Sequence, residues 1–218
     1  MHRLLQYLLL LAYCFIITAN SLCSNDEDLQ SHQCQCNEID RSIRCSTLPD
    51  RCRICEHYRT IYFDQPIDIL PGEILAKYRL SKKFRIQFVQ LKNISRGAFS
   101  KIHLQENQIL DIEILKYSSS NLFTHAFERL ILESNSRFHL QIAHVINSIF
   151  TIEKHAFNAI QFHRQSHFQF SILHATDTIA FQTHSGRFSN EHFFDGLSMS
   201  QFRIDGSTEL CTDGIEFQ

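Results

Sequence analysis

No tryptophan occurs among the 218 residues, and the aromatic content is carried by 19 Phe and 6 Tyr. A phenyl ring has no polar group to satisfy, so a recurring Phe can fill the same core place in repeated units without stranding a donor. Net charge is almost absent too. The 21 Lys and Arg stand against 23 Asp and Glu, a formal −2 with His neutral, and no basic cluster dominates. Without a basic stripe there is no electrostatic footprint for a phosphate backbone, so no nucleic-acid partner is expected. The apolar run from Leu4 to Ile17 falls short of the roughly 20 residues that a membrane-spanning helix requires, and no membrane span is expected in the mature chain. Gly-rich nucleotide loops, a Gly-x-Ser-x-Gly elbow and a His-Glu-x-x-His pair are also missing. No cofactor, metal site or catalytic motif is therefore expected.

What is present begins with a secretory pattern. His2 and Arg3 give a basic start, Leu4 to Ile17 an apolar run, and small or polar residues follow at Thr18 to Ser24. This predicts a signal peptide over residues 1–23, with cuts after Ala19 and after Cys23 both satisfying the small-residue rule. Export implies an oxidising compartment, in which cysteines pair. Leaving out Cys14, and Cys23 if the cut falls after it, six remain: Cys34, Cys36, Cys45, Cys52, Cys55 and Cys211; a retained Cys23 would leave one thiol over. Five of them crowd into a module predicted over residues 24–57. The one-residue spacing of Cys34 and Cys36 makes their mutual bond awkward, so each reaches elsewhere. In a reducing compartment Cys52-x-x-Cys55, with Cys34, Cys36 and His57 nearby, would instead read as a zinc site.

The rest of the chain repeats itself. Phe138 to Phe157 carries an alternating strand and ends in Ile-x-x-His-Ala-Phe; looser copies run from Phe84 to Phe99 and from Ile109 to Phe127, and Phe168 opens another. The unit ends Phe99, Phe127 and Phe157 are 28 and 30 residues apart, and Phe194 would follow after 37, with a loop inserted over residues 182–190. Such self-similarity predicts small units stacked on one another over residues 58–198, closed by a capping segment over residues 199–218. In each strand, period 2 separates two faces. The inward set is Phe84 and Ile86, Ile112 and Ile114, Leu140 and Ile142, Phe168 and Phe170. The outward set is Arg85 and Gln87, Asp111 and Glu113, His139 and Gln141, Gln169 and Ser171. Connections of about 20 residues allow only parallel neighbours, with right-handed crossovers expected.

The series Phe84, Ile86, Val89, Leu91, Ile94, Gly97, Ala98, Phe99, and the Cys34-x-Cys36 pair followed by Cys45 and Leu48-Pro49, resemble extracellular leucine-rich repeat proteins with a cysteine-rich N-terminal cap. The resemblance covers about Cys34 to Phe157. It implies a parallel β-strand solenoid used for recognition. Where that family places a buried Asn, the alignment puts Val89, Tyr117 and Asn147, so no asparagine ladder can form. A right-handed parallel β-helix, with long coils and no need of Asn, is the alternative fold.

The expected function is binding of an extracellular protein or glycan on the outward residues Arg85, Gln87, Asp111, Glu113, His139, Gln141, Gln169 and Ser171. Asp111 and Glu113 share a strand face, as the paired carboxylates of a polysaccharide-acting enzyme would, which gives one alternative; a structural matrix component is another. His125 and His155 occupy equivalent repeat positions and read as turn residues. Asn93-Ile94-Ser95 is a glycan acceptor sequence.

Overall fold

A computed structural model describes residues 21–23, 26–119, 121–122, 125–144, 149–152, 156, 160–174, 178–181, 202–204 and 209–212. The fold is a parallel β-solenoid. It is preceded by a small disulfide module made of β1 (Ser21–Leu22), α1 (Glu27–Ser31), β2 (Gln35–Asn37) and β3 (Ser42–Cys45). Asp26 caps α1, its Oδ1 accepting the Asp28 and Leu29 N–H groups, while its Oδ2 accepts the Arg53 N–H at 3.0 Å. One carboxylate thus satisfies orphan donors of the helix and pins it to the segment around Cys52.

Cys23 bonds to Cys36, Cys34 to Cys45, and Cys52 to Cys55. Cys34 and Cys36 do reach separate partners. Cys23 is joined to the module: β1 pairs antiparallel with β2, setting Ser21 opposite Cys36 and Leu22 opposite Gln35. Among the described residues the six bonded cysteines thus include Cys23. The physical reason is pairing of the strand ends, which a count of cysteines does not see. Residues 1–20 lie outside the described residues, and so does the side chain of Cys211, whose backbone pairs opposite Ala180.

From β3 onward every strand is parallel. The long sheet continues through β4 (Thr60–Phe63), β5 (Lys83–Phe88), β7 (Ile109–Ile114), β10 (Arg137–His144), β13 (His167–His174) and β15 (Phe202–Ile204). A second sheet joins β8 (Asn121–Leu122), β11 (Ile149–Ile152), β14 (Thr178–Phe181) and β16 (Glu209–Thr212); a third joins β6 (His103–Leu104), β9 (Ile131–Leu132) and β12 (Gln161–Phe162). Ser42, Thr60, Arg85, Asp111, His139 and Gln169 stand in one register column, and Phe170 faces Phe202, so successive coils take 18, 25, 26, 28, 30 and 32 residues. Each coil is longer than the one before.

The register sets the core. Phe84, Leu110, Phe138 and Phe168 form one inward column, Ile86, Ile112, Leu140 and Phe170 a second, and Phe88, Ile114, Ile142 and Ile172 a third; all are buried. Among the described residues the unit-ending rings Phe99 and Phe127 lie behind them and stack on each other at 4.9 Å; within the first column Phe138 stacks on Phe168 at 5.5 Å, and Phe127 meets Phe168 edge-on at 5.1 Å. Two stacks meeting at right angles use the positive ring edge against the negative ring face. This explains why Phe dominates the aromatic content.

The corners are hydrogen-bonded from coil to coil, Phe99 N–H to the Ala126 carbonyl at 2.9 Å and Phe127 N–H to that of Ala156 at 3.2 Å. One expected alignment is corrected here. Leu91, not Val89, faces Tyr117, because β5 and β7 set Phe88 opposite Ile114 and the next coil adds its residues further on. Val89 is 40% exposed, whereas Tyr117 is fully buried and donates its hydroxyl to the Asn121 carbonyl at 2.7 Å. Phe157, Phe194 and most of the capping segment over 199–218 lie outside the described residues.

Candidate functional site

The alternation that buries one side of the long sheet sends the other side outward, and the parallel register turns the outward residues into columns. Arg85, Asp111, His139 and Gln169 form the first; Gln87, Glu113, Gln141 and Ser171 form the second. All eight predicted residues thus fall on one face. The structure also shows what they do to one another.

Glu113 is the hub. Its Oε2 takes the Arg85 guanidinium and, at 2.7 Å, the Gln87 amide, while its Oε1 accepts from Gln141 at 3.4 Å. Three side chains from the two flanking strands, β5 and β10, therefore converge on one carboxylate, which is left only 15% exposed. Burying a charge is tolerable because it is both paired and hydrogen-bonded. Asp111 lies one step along the strand, with Oδ1 3.6 Å from His139 Nδ1 and 3.7 Å from Arg137 Nη2. These separations are ion-pair contacts and too long for hydrogen bonds, which leaves Oδ1 buried without one. The His139 ring, most of all, holds the Asp111 carboxyl below its usual range; burial opposes this, and the Arg137 and Arg85 charges add to it.

His139 Nε2 is also 2.8 Å from Ser171 Oγ. Asp111, His139 and Ser171 thus follow one another in the order of an acyl-transfer triad. The setting does not suit a nucleophile. Ser171 is 2% exposed, and the Asp111–His139 contact is stretched beyond orienting distance. Of the eight predicted residues Ser171 is the most covered, with its hydroxyl against His139. Gln169, beside it, is half-buried. Asp111 and Glu113 each pair with a cation of their own sheet.

Compared with protein families, curated proteins and solved structures, the chain matches none.

The face extends beyond the predicted set. Arg137 and Lys83 lie one period-2 step before His139 and Arg85, in a column that sequence alternation could have reached by continuing two residues upstream. Arg44 on β3 pairs with Asp64 at 3.2 Å and sits 4.9 Å above the Tyr62 ring, a cation–π contact at the N-terminal end of the sheet. Arg85, Asp111, Glu113, Arg137, His139 and Gln141 surround a shallow depression of about 240 Å³. A larger hollow, about 440 Å³, opens elsewhere, where Glu56, Arg79, Lys101 and His103 ring Tyr78 and Ile102. Its size does not outweigh the face, because no column of side chains converges on it.

Other expectations resolve as follows. Cys52 and Cys55 are bonded to each other, so neither is a thiolate ligand. Among the described residues one trio, Asp28, His32 and Asp50, brings metal-ligating atoms within 4.8 Å of one another; the sequence reading missed it because α1 and the loop before Cys52 meet only in the fold. Asn93 is half-buried with its Oδ1 covered, and Ser95 of the same acceptor sequence donates its hydroxyl to the Leu70 carbonyl at 2.7 Å. His125 lies 4.0 Å from Glu128, and His155 is outside the described residues. Among the described residues no helix is long and apolar enough to cross a membrane.

Proposed function

We propose that this protein is secreted and recognises an extracellular protein or glycan through the polar face of its long sheet, on a scaffold of the leucine-rich repeat kind. The observation that carries the reading is the pair of in-register polar columns centred on Glu113, with Arg85, Gln87 and Gln141 fixed on it. A rigid parallel sheet presents those groups at a constant spacing and leaves little side-chain entropy to lose on binding. Secretion is supported by three disulfides clustered in one module. The bond at Cys23 favours a leader cut after Ala19 over one after Cys23, since the later cut would remove Cys23 and leave Cys36 unpaired. Asn93 remains a glycan acceptor in this reading, modified while the chain is still unfolded.

The test uses the secreted chain as bait. Arg85→Glu combined with Asp111→Lys and Glu113→Lys is expected to be secreted at the wild-type level and to lose the partner that wild type captures. Capture unchanged by the triple variant would reject the assigned face.

A further inference from the structure

The geometry points to an anionic polysaccharide, a chain bearing sulfate or carboxylate groups, as the ligand of the polar sheet face. This rests on the recognition reading above and narrows it.

By sequence the face is mixed in sign, but exposure is not shared equally within its ion pairs. Arg85 is 51% exposed against 15% for Glu113, Arg137 48% against 39% for Asp111, and Arg44 56% against 46% for Asp64. In each of these arginine pairs the carboxylate is the more covered member, whereas in the His139–Asp111 pair it is the ring, 16% against 39%. Glu113 is covered furthest, with its oxygens also occupied by Gln87 and Gln141. Lys83 adds an exposed ammonium with no ion-pair partner among the described residues. What an approaching ligand meets is therefore a set of arginines, with Lys83, each more exposed than the carboxylate it pairs with where it has one and most so over Glu113, on a protein whose overall charge is −2. A local field of one sign steers an oppositely charged ligand whatever the net charge.

Two features favour a polysaccharide over an acidic protein. Protein interfaces are held by buried apolar and aromatic anchors. Among the described residues the large exposed apolar side chains are Ile39, Ile69 and Val89, and of these Val89 alone borders the face, immediately after β5. The rest of the face is mostly guanidinium, ammonium, amide, imidazole and carboxylate, with Tyr62 and Ile109 half-buried among them, and that polar majority suits a hydrated polymer. The cations are also spaced along the sheet. Arg85 and Arg137 lie on β5 and β10, two strands apart, so their backbones are separated by roughly 10 Å. A polymer repeating a negative group can engage both at once, and the second contact then forms at high effective concentration.

The experiment measures binding of the intact secreted chain to dextran sulfate, to uncharged dextran and to double-stranded DNA over a range of salt. Dextran sulfate is expected to bind with an affinity that falls steeply with salt, and uncharged dextran not to bind. Arg85→Gln with Arg137→Gln should lower the affinity roughly tenfold, through loss of two charge contacts. Lys83→Gln, at an exposed position that cannot disturb folding, should give a smaller loss in the same direction. Lys92→Gln, which touches only the Lys92–Asp68 pair away from the face, should change nothing. Equal binding of the uncharged polymer, equal binding of DNA, or an affinity unmoved by the Arg and Lys83 variants would each overturn the inference. If dextran sulfate does not bind while a protein is still captured through Arg85, Asp111 and Glu113, this inference fails and the recognition reading stands. If neither depends on the face, both fail.

Discussion

Gly97 and His125 occupy the same step of successive coils, and both adopt the left-handed backbone conformation, at φ +69° and +59°. Each precedes a buried Ala and a buried Phe, Ala98–Phe99 and Ala126–Phe127. The corner is thus set by the stack and not by glycine. Lys101 and Arg129 repeat the same conformation four residues on, and Asn107, Asn135 and Gln165 form a further left-handed series just before β7, β10 and β13. A non-glycine residue pays about 1–3 kcal/mol for such a conformation, and coil-to-coil hydrogen bonds offset it. Gly97→Ala should lower stability by about 1–2 kcal/mol through the left-handed strain alone, with an added squeeze because its Cβ would meet Ser100 Oγ at 3.1 Å. Urea unfolding measures it, and an unchanged midpoint would remove the corner from the account.

The stacked rings make a larger prediction. Phe127 contacts Phe99, Phe138 and Phe168 at once, so Phe127→Ala should cost about 3–5 kcal/mol. Phe127→Leu should recover part of that. Were the two variants equally mild, the ring column would not be the core it is described as.

In the disulfide module, peptide mapping without reduction should recover Cys23 joined to Cys36 and Cys34 joined to Cys45. Cys23→Ser should expose the Cys36 thiol to alkylation and destabilise the module by about 2–4 kcal/mol. A mature chain that begins after Cys23 would contradict the pairing.

Acid stability follows from Asp111. Its carboxyl is held below the ordinary 3.8 by the His139 ring first, with Arg137 and Arg85 adding and burial opposing. A depressed folded value gives stability that is whole above the unfolded pKa and disappears as pH falls through the folded one. Asp111→Asn should therefore be less stable than wild type at neutral pH and match it in strong acid. The side chain is 39% exposed, so the neutral-pH difference should stay within about 1 kcal/mol. A gap that persisted in acid would show that the residue acts by packing and not by charge.

Alkaline behaviour has the opposite sign. Burial pushes the Tyr117 phenol up to about 12 and that of Tyr78 well above 10.0. A raised folded value gives stability that is whole below pH 10 and lost as pH rises through the folded one. Phenolate absorbance from these two residues should appear together with unfolding; titration near pH 10 in the folded protein would place them outside the core.

Much of the solenoid was legible in the chain because its signal is local. Alternation at Arg85 and Gln87, Asp111 and Glu113, and His139 and Gln141 assigns each residue to a face whatever lies around it, and the recurring Ala-Phe step marks the corner. Relations between coils were less legible. Placing Val89 against Tyr117 used the 28-residue spacing of the corner residues Phe99 and Phe127, whereas β5 and β7 pair at a 26-residue offset that runs on to put Leu91 there instead. Cysteine counting could not weigh Cys23 against Cys211, because the choice depends on β1 lying beside β2.

The amino-acid order alone settled which side of each strand is oily and which is polar, since a repeat of two residues needs no knowledge of neighbours. Only the three-dimensional packing decided which polar groups meet, which of them water reaches, and that Ser171 is covered while Arg137 and Lys83 join the exposed layer. Those outcomes arise from residues about 26 to 30 positions apart being brought side by side, and that distance is fixed by loop lengths and ring stacking, not by any local pattern.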